Sequence, residues 1–155
     1  MSNRITALFF SILLLGSSSA WAAASAEERA QETANTRQGL LKVVVSYFGP
    51  IVGMAREQIP YDAALVKTNA EKIATLLPLI PDMFRINTSE FDLDTEALDK
   101  IWDNTEDFAE KAATAAEQAA ALAAATADGQ GAAMEAFGAL GGACKACHDN
   151  YRQQD

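Results

Sequence analysis

Cys144, Lys145, Ala146, Cys147 and His148 set two thiols three residues apart with an imidazole directly after the second. These are both cysteines and the single histidine of a 155-residue chain. Thiols at this spacing can form thioethers with the two vinyl groups of a haem, and the adjacent imidazole can bind its iron. The pattern therefore reads as covalent attachment of one haem c, with Cys144 and Cys147 as attachment points and His148 as axial ligand. A structural zinc site needs four ligands, and the sequence offers three here with no matching Cys or His elsewhere. A redox dithiol belongs at a helix N-terminus in a strand–helix–strand setting, and strand signals are nearly absent.

The segment after His148, Asp149 to Asp155, contains no Met or His. A sixth iron ligand must come from upstream or be absent. Beyond the N-terminal leader the thioether candidates are Met54, Met83 and Met134. Met134 lies about 20 Å up the same helix at 1.5 Å per residue and cannot reach the opposite haem face. Met54 is off the apolar stripe of its helix. Met83 is the least excluded, although methionines are more often core filler than ligands.

Four helical stretches must position these groups. The first is expected over about 26–58, with Arg37, Leu41, Val44, Phe48, Ile51 and Ala55 as its stripe. Gly49-Pro50 falls inside it as a potential bend. The second is expected over about 63–77, with Asp62 as N-cap, Val66, Ala70, Ile73 and Leu77 on one face, and Pro78 and Pro81 as its end. Residues 79–94 read as a longer connection. The third is expected over about 95–127, with Leu98, Ile101, Thr105, Phe108, Ala112, Ala115, Ala119 and Leu122 facing inward, and Asp128-Gly129 as its stop. The fourth is expected over about 131–152, with Met134, Phe137, Gly141, Cys144, His148 and Tyr151 aligned. Together they predict an all-α, antiparallel four-helix bundle with haem beside the last helix. Gly138, Gly141 and Gly142 would let a macrocycle or a neighbouring helix approach that helix's backbone.

Residues 1–22 read as a signal peptide: a positive start, an apolar run Ile5–Gly16, then small residues that permit cleavage after Ala22, Ala24 or Ala26. Residues 23–155 then form one domain, and no later segment is expected to span a membrane. Export places the protein in the periplasm, where haem would consume both thiols. Against 12 Lys and Arg stand 21 Asp and Glu, a formal net charge of −9. That balance excludes nucleic acid as a partner, since phosphates need a basic footprint.

The block Cys144 to Arg152, together with Arg37-Gln38 followed by Leu41, resembles the cytochrome c′ family of class II c-type cytochromes. Phe48-Gly49 and the Trp102–Phe108 region are similar as well, and the resemblance spans essentially the whole chain after the leader. It implies that Arg37 and Gln38 meet the haem propionates, that Leu41 and Phe84 line the distal pocket, and that Arg152 stands in the proximal pocket. Met-ligated relatives carry a methionine near the Leu41 position, and leucine has no donor atom. The implied iron is five-coordinate and high-spin. The resemblance further implies binding of nitric oxide and carbon monoxide, nitric oxide sequestration, and displacement of the proximal histidine by nitric oxide with Arg152 beside the product. It also implies a homodimer through the first two helices, for which Tyr47, Ile59 and Tyr61 are surface candidates. A soluble electron carrier with a redox partner protein is the competing function. A peroxidase is disfavoured by the lack of a distal histidine, so no enzyme is expected.

Overall fold

The computed structural model describes residues 24–154. The signal-peptide reading of residues 1–22 lies outside them. Helix α1 spans Ala26–Ala55 and begins with a reciprocal cap. The Ser25 hydroxyl accepts from the Glu28 amide at 3.1 Å, and the Ser25 amide donates to the Glu28 carboxylate at 2.6 Å. Two N–H groups that the first helical turn would otherwise orphan are satisfied in this way. Pro50 sits within the continuous helix. The chain leaves α1 through Glu57, whose φ of +57° places it in the left-handed region.

Helix α2 (Ala63–Leu76) starts where Asp62 accepts from the amides of Ala64 and Leu65, as its sequence position predicts. Its ending differs from expectation. A single 3₁₀ turn, Leu77–Leu79, leads into the short α3, Ile80–Met83. Pro78 and Pro81 each occupy the first turn of a new helical piece, where the missing N–H has no intrahelical partner to lose. The prolines redirect the helix rather than stop it.

The third helix also starts later than expected. Residues 95–99 are not helical; α4 covers Lys100–Asp103, Asn104 breaks the path at φ −136° and ψ 46°, and α5 runs Thr105–Ala125. The cause is long-range: the Leu98 amide donates to the carbonyl of Tyr151 at 2.9 Å, and the Glu96 carbonyl accepts from the Gln153 amide at 2.7 Å, while the Ala97 amide turns locally to the Thr95 hydroxyl at 3.2 Å. A 3₁₀ turn follows α5, and Gly129, at φ +98°, reverses the chain into α6, Gln130–Tyr151.

α1, α2, α5 and α6 form the four-helix bundle. α5 packs extensively on both α2 and α6, and α1 packs on α2, whereas α1 and α6 approach one another much less closely. Those two meet through Phe48 and Phe137, whose rings lie 5.2 Å apart. The main core joins Ile51, Met54, Val66, Ile73, Leu122 and Leu140. A second cluster contains Phe84, Ile101, Phe108 and Tyr151.

Two stripes drift from expectation. On α1, Met54 is buried and Ala55 exposed, so Met54 belongs to the core face that its spacing did not give it. On α6 the deepest positions are Ala133, Leu140 and Tyr151, with His148 at the solvent edge. α1 is also long and apolar enough to cross a membrane by length and composition. That corrects the expectation that no segment after the leader would be. Here the helix lies against α2 with Arg37, Ile51 and Met54 buried in protein.

Candidate haem-binding site

At i, i+3 and i+4 on α6, Cys144, Cys147 and His148 share one side of the helix. The structure sets them at the seam of the two cores. Cys144 packs against the main core, and Cys147 against the Phe84–Phe108–Tyr151 cluster. Both thiols are free and half-buried. Beside them runs a groove of about 430 Å³ lined by Phe48 of α1 and by Gly141, Cys144, His148 and Arg152 among others. The groove thus lies along the side where α1 and α6 stand apart.

The electrostatics favour uncharged groups. Burial pushes the Cys144 thiol up. It pushes Cys147 up to about 11, with the neighbouring Cys144 adding to the effect. Thiols this reluctant to ionise are poorly suited to a metal–thiolate site, which needs them deprotonated. Burial also lowers the His148 pKa, and the Arg152 charge lowers it further, against the opposing pull of Asp149 and Glu96. At neutral pH the imidazole is therefore neutral, the form that ligates iron.

The residues present fit a haem. A Cβ built on Gly138, Gly141 or Gly142 meets no atom within 4 Å. The glycines do not serve close packing of another helix. Gly141 lines the groove and leaves the α6 backbone there open to a flat apolar group beside Cys144 and His148, while Gly138 and Gly142 are exposed.

Of the other candidates, Arg152 lines the groove, and Arg37, Gln38, Leu41 and Phe84 are not among its lining residues. Arg152 lines the groove with His148, and its Nε donates to the Glu96 carboxylate at 2.5 Å. Leu41 lies between Arg37 and Val44 on the inward stripe of α1, yet is 37% exposed. Phe84 is buried in the aromatic cluster, 5.1 Å from Phe108 and 6.3 Å from Trp102 between ring centres. Neither Leu41 nor Phe84 lines the groove.

Arg37 is 5% exposed and latches α1 onto the connection. Its guanidinium donates to the Met83 carbonyl at 3.0 Å, the Thr88 hydroxyl at 2.8 Å and the Ile86 carbonyl at 2.6 Å. It also stacks 4.6 Å from the Phe84 ring centre and 5.4 Å from that of Trp102. Trp102 completes the latch by donating its indole N–H to the Phe84 carbonyl at 2.9 Å. Gln38 ties down the far end of the connection through the Asp94 carbonyl at 2.8 Å. Met83 packs on the aromatic cluster and Met134 on the main core.

Sequence reasoning did not anticipate Thr88 as a partner of Arg37, Glu96 as a partner of Arg152, or the hydrogen bond from the Tyr151 hydroxyl to Asp107. Each joins residues more than forty positions apart, beyond the reach of any local pattern.

The helical bundle and its Cys-x-x-Cys-His face define a c-type haem protein. The family model for cytochrome c′ matches residues 32–152. The chain belongs to the cytochrome c′ family, whose cofactor is a c-type haem. It is 36% identical to the cytochrome c′ of Cereibacter sphaeroides over 143 residues, covering 91% of this chain and 96% of that one. Cytochrome c prime from Shewanella frigidimarina superposes with a TM-score of 0.72 at 33% identity, over 81% of this chain and 97% of that structure. A nitric oxide complex of a variant cytochrome c prime from Alcaligenes xylosoxidans gives 0.69 at 32% identity, over 81% and 97%.

Proposed function

We propose that this protein is a periplasmic haem protein that binds small neutral gases, nitric oxide and carbon monoxide, and sequesters nitric oxide. Cys144 and Cys147 hold one haem by thioether bonds and His148 supplies the axial imidazole. When bound, the haem supplies an iron able to coordinate a diatomic gas and to change oxidation state. The carrying observation is the groove that brings Phe48, Cys144, His148 and Arg152 together on the open side of α6. The nitric oxide complex of the Alcaligenes relative supports the choice of ligand.

Leu41 offers no donor atom to the iron and no hydrogen bond to a polar ligand, so the iron stays five-coordinate and uncharged ligands are favoured. The propionates fall to Arg37, through guanidinium N–H groups beyond those in its latch, and to Gln38. The chain's single histidine is committed to iron, leaving no distal imidazole for acid–base catalysis, so the protein binds and does not turn over substrate. For export, cleavage after Ala22 or Ala24 retains the Ser25 cap of α1, and cleavage after Ala26 discards it.

Two copies associate through α1 and α2, where Val43, Val45 and Leu65 are exposed. Val45→Glu is expected to yield monomers in sedimentation velocity; an unchanged sedimentation coefficient rejects this face.

Absorption spectra of the purified protein test the central reading. Both oxidation states are expected to be high-spin, without a methionine-to-iron band. That band, or haem retained covalently by the Cys144→Ala, Cys147→Ala double variant, overturns it. A methionine band would instead favour the electron carrier.

A further inference from the structure

Gas binding makes no use of Tyr151, although its ring is buried in the aromatic cluster beside the attachment site. Tyr151 lies one turn along α6 from Cys147, which packs on that same cluster. A haem carried by Cys147 is therefore a near neighbour of the ring. The Tyr151 hydroxyl donates to the Asp107 carboxylate across the contact between α5 and α6. The Asn104 carbonyl, at 3.5 Å, stands at the outer limit of hydrogen bonding. The Tyr151 hydrogen bond, and then Lys111 at 3.1 Å, hold Asp107 below the usual carboxylate range, so it is ionised at neutral pH. A buried phenol thus points its proton at a base. That base is 51% exposed, so a proton placed on it can pass on to water.

The rest of the cluster narrows the choice of electron donor. Phe108 meets Tyr151 edge-on, and Phe84 and Trp102 continue the column at 5.1 Å and 6.3 Å between ring centres. Phenylalanine rings give up an electron far less readily than a phenol or an indole, so Tyr151 and Trp102 are the oxidisable members. Trp102 is badly placed to hold the charge that results. The Arg37 guanidinium lies 5.4 Å from its ring centre and opposes a positive ring there. Its indole N–H donates to the Phe84 carbonyl at 2.9 Å, and a carbonyl is too weak a base to take the proton. Lys100 stands 5.9 Å from the Tyr151 ring centre, but a phenol that has passed its proton to Asp107 is left neutral and is little opposed by that cation.

We propose that Tyr151 is a redox-active tyrosine that gives an electron to the haem when the haem meets a peroxide, with Asp107 as its proton acceptor. Hydrogen peroxide takes up two electrons and two protons from solvent as its O–O bond breaks, and becomes two waters. The iron supplies one electron and Tyr151 the other. The Tyr151 O–H bond breaks, its proton forms an O–H bond on Asp107, and a neutral phenoxyl radical remains. The macrocycle is spared the second oxidising equivalent. The proposal rests on haem being held by Cys147 and His148, and adds to gas binding a protective role for the neighbouring ring.

The test mixes the full-length, haem-loaded protein with hydrogen peroxide, freezes it at set times and records electron paramagnetic resonance spectra. A tyrosyl signal is expected that narrows when the protein is made with ring-deuterated tyrosine and rises more slowly in heavy water. The chain has three tyrosines. Tyr151→Phe is expected to abolish the signal and hasten bleaching of the haem absorption, whereas Tyr47→Phe and Tyr61→Phe change neither. Asp107→Asn keeps a hydrogen-bond acceptor but no base, and is expected to cut the radical yield severalfold with an unaltered resting haem spectrum. Asp107→Glu is expected to restore part of the yield. A signal that survives Tyr151→Phe, or an undiminished yield in Asp107→Asn, overturns the proposal. If Tyr151→Phe does not take up haem, the deuterium narrowing in wild type and the Asp107→Asn yield decide the matter in the same sense. A wild type without covalent haem fails the reading of the site itself. A wild type with covalent haem and no tyrosyl signal fails this proposal alone.

Discussion

The hydroxyl of Tyr151 donates to the Asp107 carboxylate from a ring that is 6% exposed and stacked edge-on against Phe108. Burial and then that hydrogen bond push its pKa up to about 12, from an ordinary value of 10.0. A raised folded-state pKa means the folded protein holds the proton more tightly than the unfolded chain. The resulting stabilisation is complete below about pH 10 and disappears as pH rises to about 12. The stability gap between wild type and Tyr151→Phe is therefore expected to narrow over that window, read from urea midpoints at a series of pH values. That Cys144, Cys147 and His148 share one side of a helix was legible in the sequence, because a spacing of three and four positions is a local pattern. Glu96 was not, because nothing near it in the sequence points to Arg152.

At the level of the helix, local signals were reliable and distant ones were not. Asp62 announces α2 because a cap is satisfied by the next three residues. The start of α5 was misplaced because the Glu96 carbonyl and the Leu98 amide bond to the C-terminal segment. Ser25→Ala removes the cap of α1 and is expected to cost about 1 kcal/mol in chemical denaturation. Arg37→Met keeps much of the buried stem but leaves the Met83 and Ile86 carbonyls and the Thr88 hydroxyl without their donor. About 3 kcal/mol of lost stability is expected. Amide exchange should quicken through residues 83–94, which the latch holds against α1.

The bundle as a whole rests on tight contact of α5 with its neighbours. Its buried face reads Ala112, Ala115, Ala119 and Ala123, with Leu122 fully enclosed. Small side chains let the helices approach closely, so a void opened there has little room to collapse. Leu122→Ala is expected to cost about 3–4 kcal/mol, measured from the denaturation midpoint at constant slope. The four-helix class was legible because periodicity records which residues face inward. Their depth was not, since Leu41 and Ile51 look alike in a stripe although one is 37% exposed and the other 0%. The spread between α1 and α6 has a further consequence, for the order in which the molecule comes apart. α5 engages both α2 and α6, while α1 leans mainly on α2 and on a single arginine latch. The first cooperative unit to open is then α1, with α2, α5 and α6 persisting as a three-helix remainder. A flat group seated between α1 and α6 would fasten the loosest member of the structure to one of the most firmly held, and raise the threshold of that first opening.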